Sequence, residues 1–487
     1  MNATHESARP VYVLGAGFSK AIQAVMPVTD ELGMELKRRL ADVEELDLRE
    51  GQTFEDWLTV QITPLPFLAR HSNARRAASA ERVIAEIAHA LDERVAEATA
   101  NECPTWLWQL LAIWHAEKAV ILTFNYDTLL ERALNTHPLA TYAFGKAFQR
   151  AFGDHLVYPA PSAPQPQLLG DTGSPHNANS LQILKLHGSL AWYWASGDPT
   201  GSTLVREREK HIFGSSEPFA DEADYSGAKS LDRYLVPPVL SKDGYYGSYL
   251  ANSLWRLAQK FVAGTKSLTL IGYSLPAGDR VTSELVGEYG GSSPVHVVDR
   301  SPSEGLLERI NRLGLPAEAA SSGPDCVPAY VKGRMEAAAE SLSSAIDDAT
   351  AGSQVFDVVV SFANGWRTAY QTDLFALAWD KERQIFSTRE IDRTQVDDPR
   401  SSYREIALNV LPTGVHDLED FVTVERLREL VRNEGQFRFE HERIAHPFVA
   451  IGCSLMERGS GLALLIQWAP ALDSTSATSF GPAESVR

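Results

Sequence analysis

Cysteine is scarce in this chain of 487 residues, which contains only three. Cys103, Cys326 and Cys453 stand far apart and form no CxxC pair. A four-thiolate zinc site needs clustered cysteines, and a disulfide framework needs several that can pair. The scarcity of cysteine excludes such a zinc site and argues against such a framework, and we expect no bound metal.

Long apolar runs and an excess of basic residues are also missing. No apolar run approaches the roughly 20 residues that a membrane-spanning helix needs. Lys and Arg number 45 against 63 Asp and Glu, which gives a formal net charge of −18. Residues 1–6 lack the basic and apolar regions of a signal peptide. We therefore expect a cytoplasmic protein that neither associates with a membrane nor binds nucleic acid directly.

What the chain does contain is a set of five short, β-favouring apolar runs separated by segments of helical character. The runs cover residues 11–14, 119–124, 183–186, 267–271 and 295–298. Continuous apolar strands that alternate with helices are typical of a parallel sheet buried on both faces. Apolar residues at helical spacing predict a helical insertion at about 30–118. The predicted fold is α/β, a Rossmann-like parallel sheet with this insertion, over residues 9–349.

The C-terminal part of the chain has a different pattern. After a linker-like stretch at 351–354, three apolar runs and a helix at 422–433 predict a smaller α/β module over residues 355–471. We expect this module to act in assembly or sensing. Residues 472–487 are rich in small and polar residues and predict a disordered tail. Loops at 158–180 and 214–230 are candidates for mobile flaps beside the sheet.

Glycines follow the first predicted strand. Gly15-Ala16-Gly17 can form the tight turn at which a backbone approaches a pyrophosphate, and a helix follows it. Lys20 occupies the place of the third glycine in the dehydrogenase fingerprint, which disfavours an ordinary NAD dehydrogenase. A tight turn in some other doubly wound fold is the alternative interpretation.

Polar residues follow three further strands. Asn125 and Asp127 come after the second, His187 after the third, and Gly272 and Ser274 after the fourth. Because the carboxyl ends of parallel strands meet at one edge of a sheet, we expect these residues to share one crevice.

Each polar residue also has a purely structural interpretation. His187 could be a core histidine bonded to backbone, and Asn125 or Asp127 could cap the helix that follows. The alternately charged run at 205–210 predicts a solvated surface.

Four motifs in order carry a family resemblance: Gly-Ala-Gly-Phe-Ser at 15–19, Thr-Phe-Asn-Tyr-Asp at 123–127, Leu-His-Gly-Ser at 186–189 and Gly-Tyr-Ser-Leu-Pro at 272–276. Together they resemble the sirtuin-like domains of bacterial antiphage-defence proteins, over roughly residues 9–340. The resemblance implies catalytic roles for Asn125 and His187. It implies NAD contacts, from the phosphates through the nicotinamide ribose to the adenosine, for Gly15, Ala16, Gly17, Ser19, Asp127, Gly272, Ser274 and Asp299.

Two departures from deacetylase sirtuins narrow the implied activity. The four-cysteine zinc module is missing, and of a Pro-Asp-Phe-Arg segment only Pro27 is kept. The family branch without these features is associated with hydrolysis of NAD+ to nicotinamide and ADP-ribose, with NAD+ as substrate and no metal. The chain is then expected to deplete NAD+ as the effector of an abortive-infection system.

The activity of such an effector must be regulated, because a permanently active NAD hydrolase would harm its host. We expect a homo-oligomer or a defence partner such as an ATPase, an Argonaute-type protein or another sensor subunit. Two alternatives stay open. One is a sirtuin-type transferase of ADP-ribose or an acyl group, and the other is a non-catalytic NAD- or ADP-ribose-binding regulatory subunit.

Overall fold

The structure is a computed structural model. It describes residues 9–41, 46–136, 139–143, 147–151, 156–159, 167–168, 181–194, 203–217, 231–240, 242, 246–276, 278–302, 304–334 and 337. Further along the chain it describes six strands, which lie at 357–363, 372–380, 385–389, 436–438, 447–458 and 461–470. The predicted helix at 422–433, the linker at 351–354, the tail at 472–487 and most of the two predicted flaps lie outside the described residues.

The chain divides into two compact units. The first contains residues 1–104, 117–136 and 152–330, and the second contains residues 105–116, 137–151 and 331–487.

A seven-stranded, fully parallel sheet forms the centre of the first unit. In spatial order its strands are β13 (Ala317–Ser322), β12 (Val295–Asp299), β11 (Leu268–Ile271), β1 (Val11–Leu14), β2 (Val120–Thr123), β7 (Gln182–Lys185) and β5 (Val157–Tyr158). The five predicted strands are all present, and every residue of β1, β2, β7 and β11 is buried. The prediction of a Rossmann-like parallel sheet is therefore confirmed.

The strand order indicates at which edge of the sheet a ligand would bind. From the central β1 the sheet grows through β2 and β7 on one side and through β11 and β12 on the other. A reversal of this kind opens a crevice at the carboxyl ends of the strands beside it, where open α/β sheets bind ligands. The ends of β1, β2, β7 and β11 all lie beside this point.

The described part of the chain contains nine helices. They are α1 (Ala16–Ile22), α2 (Thr29–Arg39), α3 (Phe54–Ile62), α4 (Arg70–Thr99), α5 (Thr105–Ala116), α6 (Leu129–Thr136), α7 (Tyr249–Gly264), α8 (Arg280–Gly287) and α9 (Glu304–Arg312). Of these, α5 belongs to the second unit and the others to the first, and α1 to α5 occupy the segment between β1 and β2. Local capping fixes several starts: the Thr53 hydroxyl accepts from Asp56 N before α3, and the Ser248 hydroxyl accepts from Ala251 N before α7. None of the described helices combines the length and apolarity that crossing a bilayer requires.

A smaller sheet of the first unit contains β10 (Asp232–Leu235), β8 (Gly188–Trp194), β9 (Thr203–Arg206) and β6 (Gln167–Leu168), in this order. Here the expectation of a solvated surface at 205–210 is wrong, because Val205, Arg206 and Glu209 are buried. Glu209 pairs with Arg132 at 3.0 Å and lies 2.9 Å from His211 Nδ1. Glu209 thus forms a buried ion pair with Arg132 of α6, a distant residue in sequence, which the local pattern does not reveal.

The second unit contains a mixed six-stranded sheet. Its order is β16 (Ile385–Arg389), β15 (Thr372–Asp380), β14 (Asp357–Ala363), β19 (Gly461–Pro470), β18 (Pro447–Arg458) and β17 (Gln436–Arg438). Helix α5 packs against β18, and a hairpin of β3 (Leu139–Ala143) and β4 (Ala147–Ala151) belongs to the same unit. This unit therefore takes two segments that precede the C-terminal part of the chain.

Candidate functional site

A cavity of about 290 Å³ lies at the carboxyl ends of the parallel strands, within the first unit. Every residue that the sequence assigned to the site lines it: Gly15, Ala16, Gly17, Ser19, Asn125, Asp127, His187, Gly272, Ser274 and Asp299. The motifs are separated by more than a hundred residues in places, and the sheet topology brings them together.

The glycine turn after β1 packs directly against the turn after β11. Gly17 N donates to the carbonyl oxygen of Gly272 at 3.0 Å, and Gly15 N donates to Ile271 O at 3.2 Å. A Cβ on Gly17 would lie 2.9 Å from that Gly272 oxygen, and Gly272 has a φ of +58°. Close packing of two backbone turns thus requires glycine at both positions.

Asn125, Ser19 and Asp127 form a chain of hydrogen bonds across two strand ends. The Asn125 amide Nδ2 donates to Gly15 O and to Ser19 Oγ, each at 2.8 Å. Ser19 Oγ in turn donates to Asp127 Oδ2 at 2.6 Å. Asn125 does not cap α6 through its side chain. Asp127 does so in part, because its Oδ1 accepts from Leu129 N at 3.2 Å. These hydrogen bonds fix the side chains of Asn125 and Asp127 at the cavity wall.

A buried lysine contacts the backbone of Asp127 and so supports this series of hydrogen bonds. Lys185, 1% exposed, contacts Glu131 Oε1 at 2.7 Å and donates to the Asp127 carbonyl at 2.6 Å and to Ser189 Oγ at 3.0 Å. Burial raises the pKa of Glu131, and the charge of Lys185 opposes that rise. The ion pair ties the end of β7 to the start of α6 and so positions Asp127.

His187 has a different environment from a core histidine bonded to backbone. Its side chain is 7% exposed, and among the described residues its buried Nε2 atom has no hydrogen-bond partner. The ring lies against Phe124 at a centroid distance of 4.8 Å, and Phe124 stacks on Tyr273 at 4.8 Å. Burial, assisted by the charge of Lys242, lowers the pKa of His187 to about 3 although Asp279 opposes the shift. The imidazole is therefore neutral at physiological pH, and its buried Nε2 atom is left unpaired within the described residues.

The adenosine-side candidates sit farther along the edge. Ser274 is exposed, and its carbonyl oxygen accepts from Arg309 at 2.7 Å. Asp299 is half-buried at the end of β12, and its Oδ1 accepts from Ser301 N at 3.0 Å. Both residues line the cavity.

Sequence reasoning missed a charged cluster in the same cavity. Lys242, on the segment after β10, lies 3.5 Å from Asp279 and 3.6 Å from Glu55. Asp279 follows the last predicted motif closely and caps α8 by accepting from Thr282 N at 3.2 Å, so a cap pattern could have identified it. Lys242 and Glu55 have no neighbouring motif. In the part of the chain that is described, no group of three or more His, Cys, Asp or Glu residues is arranged to hold a metal ion.

Part of the chain matches a known protein family. Residues 119–298 match the family described as "SIR2-like domain". This range runs from β2 to β12 and contains the motifs with Asn125, His187 and Gly272, whereas the glycine turn at 15–17 precedes it. The predicted resemblance to sirtuin-like proteins is confirmed for these residues.

Comparison with solved structures finds a crystal structure of Sir2 in complex with the inhibitor EX-527, 2′-O-acetyl-ADP-ribose and deacetylated p53 peptide. The sequences are 12% identical, the alignment covers 68% of this chain and 94% of that chain, and the TM-score is 0.28. A comparison with curated proteins finds no match.

Proposed function

We propose that this chain binds NAD+ in the cavity at the sheet edge and hydrolyses it to nicotinamide and ADP-ribose. The observation that carries the proposal is the convergence of the motif residues on one cavity, together with a buried, neutral His187 whose Nε2 has no partner in the described part of the chain. An unpartnered buried nitrogen is unfavourable, and a ligand hydroxyl or a water molecule that reaches it would satisfy it.

The reaction makes modest demands on the protein. Cleavage of the nicotinamide–ribose bond develops oxocarbenium character on the ribose and releases a neutral leaving group. Water adds to the ribose C1′ atom, the N-glycosidic electron pair leaves with nicotinamide, and the water gives up one proton. In our proposal His187 Nε2 accepts a hydrogen bond from the water or from a ribose hydroxyl and takes part in removing that proton.

Asn125 has a positioning role in this proposal. Both N–H bonds of its amide are directed to protein acceptors, Gly15 O and Ser19 Oγ, and this leaves its Oδ1 atom to accept from a ribose hydroxyl or from water. The amide adds no charge, so it can orient the ribose without opposing the positive charge of the reacting group.

We further propose that the hydrolysis serves antiphage defence by depletion of NAD+, in a cytoplasmic assembly of several copies or with a sensor partner. The support for this role is the resemblance of the four motifs to sirtuin-like defence proteins. A SIR2-like match over residues 119–298 is consistent with NAD-dependent chemistry of the sirtuin type.

Product analysis tests the proposal. Purified protein is incubated with NAD+ in water enriched in ¹⁸O, and products are separated by chromatography and mass spectrometry. Hydrolysis predicts equal amounts of nicotinamide and ADP-ribose, with one ¹⁸O atom in the ADP-ribose. ADP-ribose attached to protein would indicate a transferase instead. Bound but uncleaved NAD+, also in the presence of extract from phage-infected cells, would indicate a regulatory binding module.

A further inference from the structure

Three charged side chains from distant parts of the chain meet in the cavity. Lys242 is 5% exposed, and its Nζ lies 3.5 Å from Asp279 Oδ2 and 3.6 Å from Glu55 Oε1. Glu55 lies in the first turn of α3, and Asp279 caps α8. All three line the cavity, so the cluster faces the same space as His187.

The cluster has an unequal charge balance. Two carboxylates share one ammonium group, which leaves a formal charge of −1. Among the described residues that line the cavity, Lys242 is the only lysine or arginine, whereas Glu55, Asp127, Asp279 and Asp299 are acidic. A buried lysine is expensive unless it is paired, and two neighbouring carboxylates repel one another unless a cation lies between them. Lys242 therefore makes the acidic pair possible.

The cluster is coupled to the aromatic wall behind His187. Tyr273 donates its hydroxyl to Asp279 Oδ2 at 3.0 Å, and the Tyr273 ring stacks on Phe124, which lies against His187. A shift of the Asp279 carboxylate would therefore disturb the contacts of the imidazole.

The electrostatic environment of each carboxyl group follows from its neighbours. Burial raises the pKa of Glu55, the charge of Asp279 and that of Asp56 act in the same direction, and Lys242 opposes them. Burial would also raise the pKa of Asp279, but the charge of Lys242 and the bonds from Thr282 lower it overall. Lys242 is thus the cation that both carboxyl groups share.

We propose that Lys242 is a positioning residue that holds Glu55 and Asp279 in place, as anions, at the His187 end of the cavity. The inference rests on the proposed hydrolysis of NAD+, because the nicotinamide ring and the ribose transition state carry positive charge that these carboxylates attract. A negatively charged end of the cavity orients the pyridinium group toward His187 and stabilises the developing charge. Lys242 acts through the carboxylates and need not touch the substrate.

The pH dependence of Lys242→Met tests this role. Without the ammonium group the carboxyl groups become harder to ionise, since loss of an opposite charge at this distance typically raises a carboxyl pKa by about one to three units. The acid limb of kcat/KM for nicotinamide release should move to higher pH by a similar amount. Lys242→Arg should restore the wild-type profile, and exposed Lys260→Met serves as the matched control.

A second readout does not depend on activity. Protein labelled with ¹³C at the carboxyl carbons of Glu and Asp is titrated by NMR, and the two resonances are assigned with Glu55→Gln and Asp279→Asn. Lys242→Met should raise the midpoints of both. Unchanged midpoints, or a fall in kcat/KM that is equal at every pH, would overturn the role of Lys242. If Lys242→Met raises both ¹³C midpoints but the wild-type protein releases no nicotinamide, the role of Lys242 stands and only the proposed hydrolysis is refuted.

Discussion

Gly17 and Gly272 join the two loops at the centre of the functional edge: the backbone N–H of Gly17 donates to the carbonyl oxygen of Gly272 at 3.0 Å. From sequence, the glycines at 15 and 17 suggest room for a pyrophosphate. The structure adds a packing reason for Gly17, because a side chain there would meet the backbone of the neighbouring turn before it reached a ligand.

This contact predicts the effect of Gly17→Val. The variant should lose NAD+ binding together with thermal stability, because the Cβ would lie 2.9 Å from Gly272 O and one turn would have to move. Calorimetric titration and thermal unfolding measure the two effects. Gly264→Ala is the control, since nothing lies within 4 Å of the Cβ that it adds. A stable Gly17→Val protein that has lost binding alone would show that the ligand, and not Gly272, demands the glycine.

Substitution of His187 tests the assignment of the base. His187→Gln should lower the rate of nicotinamide release by about 10²- to 10⁴-fold, the usual contribution of a positioned base. NAD+ affinity should change little, as measured by calorimetry. Exposed His71→Gln, on α4, is the matched control. Near-normal turnover in His187→Gln would remove the imidazole from the mechanism.

The low pKa of His187 predicts a pH dependence of stability. The pKa is about 3 in the folded chain and about 6.5 in an unfolded one, so the unfolded state binds more protons between these values. The contribution of the neutral imidazole is complete above about pH 6.5 and is lost as the pH falls toward 3.

Unfolding experiments at two pH values measure this contribution. The urea midpoint should fall more steeply between pH 7 and pH 4.5 for the wild type than for His187→Gln. Parallel decreases of the two midpoints would show that the folded chain does not hold this imidazole in the neutral form.

The buried ion pair of Lys185 and Glu131 predicts that removal of the lysine lowers the stability of the fold. Lys185→Met leaves the Glu131 carboxylate without its cation, and loss of one partner of a buried ion pair typically costs about 3–5 kcal/mol of unfolding free energy. Urea unfolding monitors the loss. The double variant Lys185→Met/Glu131→Leu should be more stable than Lys185→Met alone. If the single variant matched the wild type, the pair would not support the site.

Sequence reasoning predicted the parts of this fold whose cause is local. Each of the five predicted strands of the central sheet is a short apolar run, and the burial of β1, β2, β7 and β11 on both faces follows from composition. The edge strand β13 is largely exposed and carries no such run, so the pattern did not predict it. The polar residues at the strand ends were predictable as one group because parallel strands direct their carboxyl ends to one edge.

The charged cluster depends instead on tertiary packing. Lys242 and Glu55 are ordinary charged residues in sequence, and only the fold shows that they are buried against Asp279. The same holds for Arg206 and Glu209, whose alternating charges indicated solvent, and for α5, whose packing on β18 no local pattern reveals.

The most direct measurement is an experimental structure of the His187→Gln variant with NAD+ bound. We expect one dinucleotide in the cavity, with its pyrophosphate beside the Gly15–Gly17 turn and its nicotinamide ribose beside Asn125 and residue 187. The adenosine should lie toward Ser274 and Asp299. A dinucleotide bound outside this cavity, or bound with its adenine beside residue 187, would refute the assignment of this cavity as the NAD+ site.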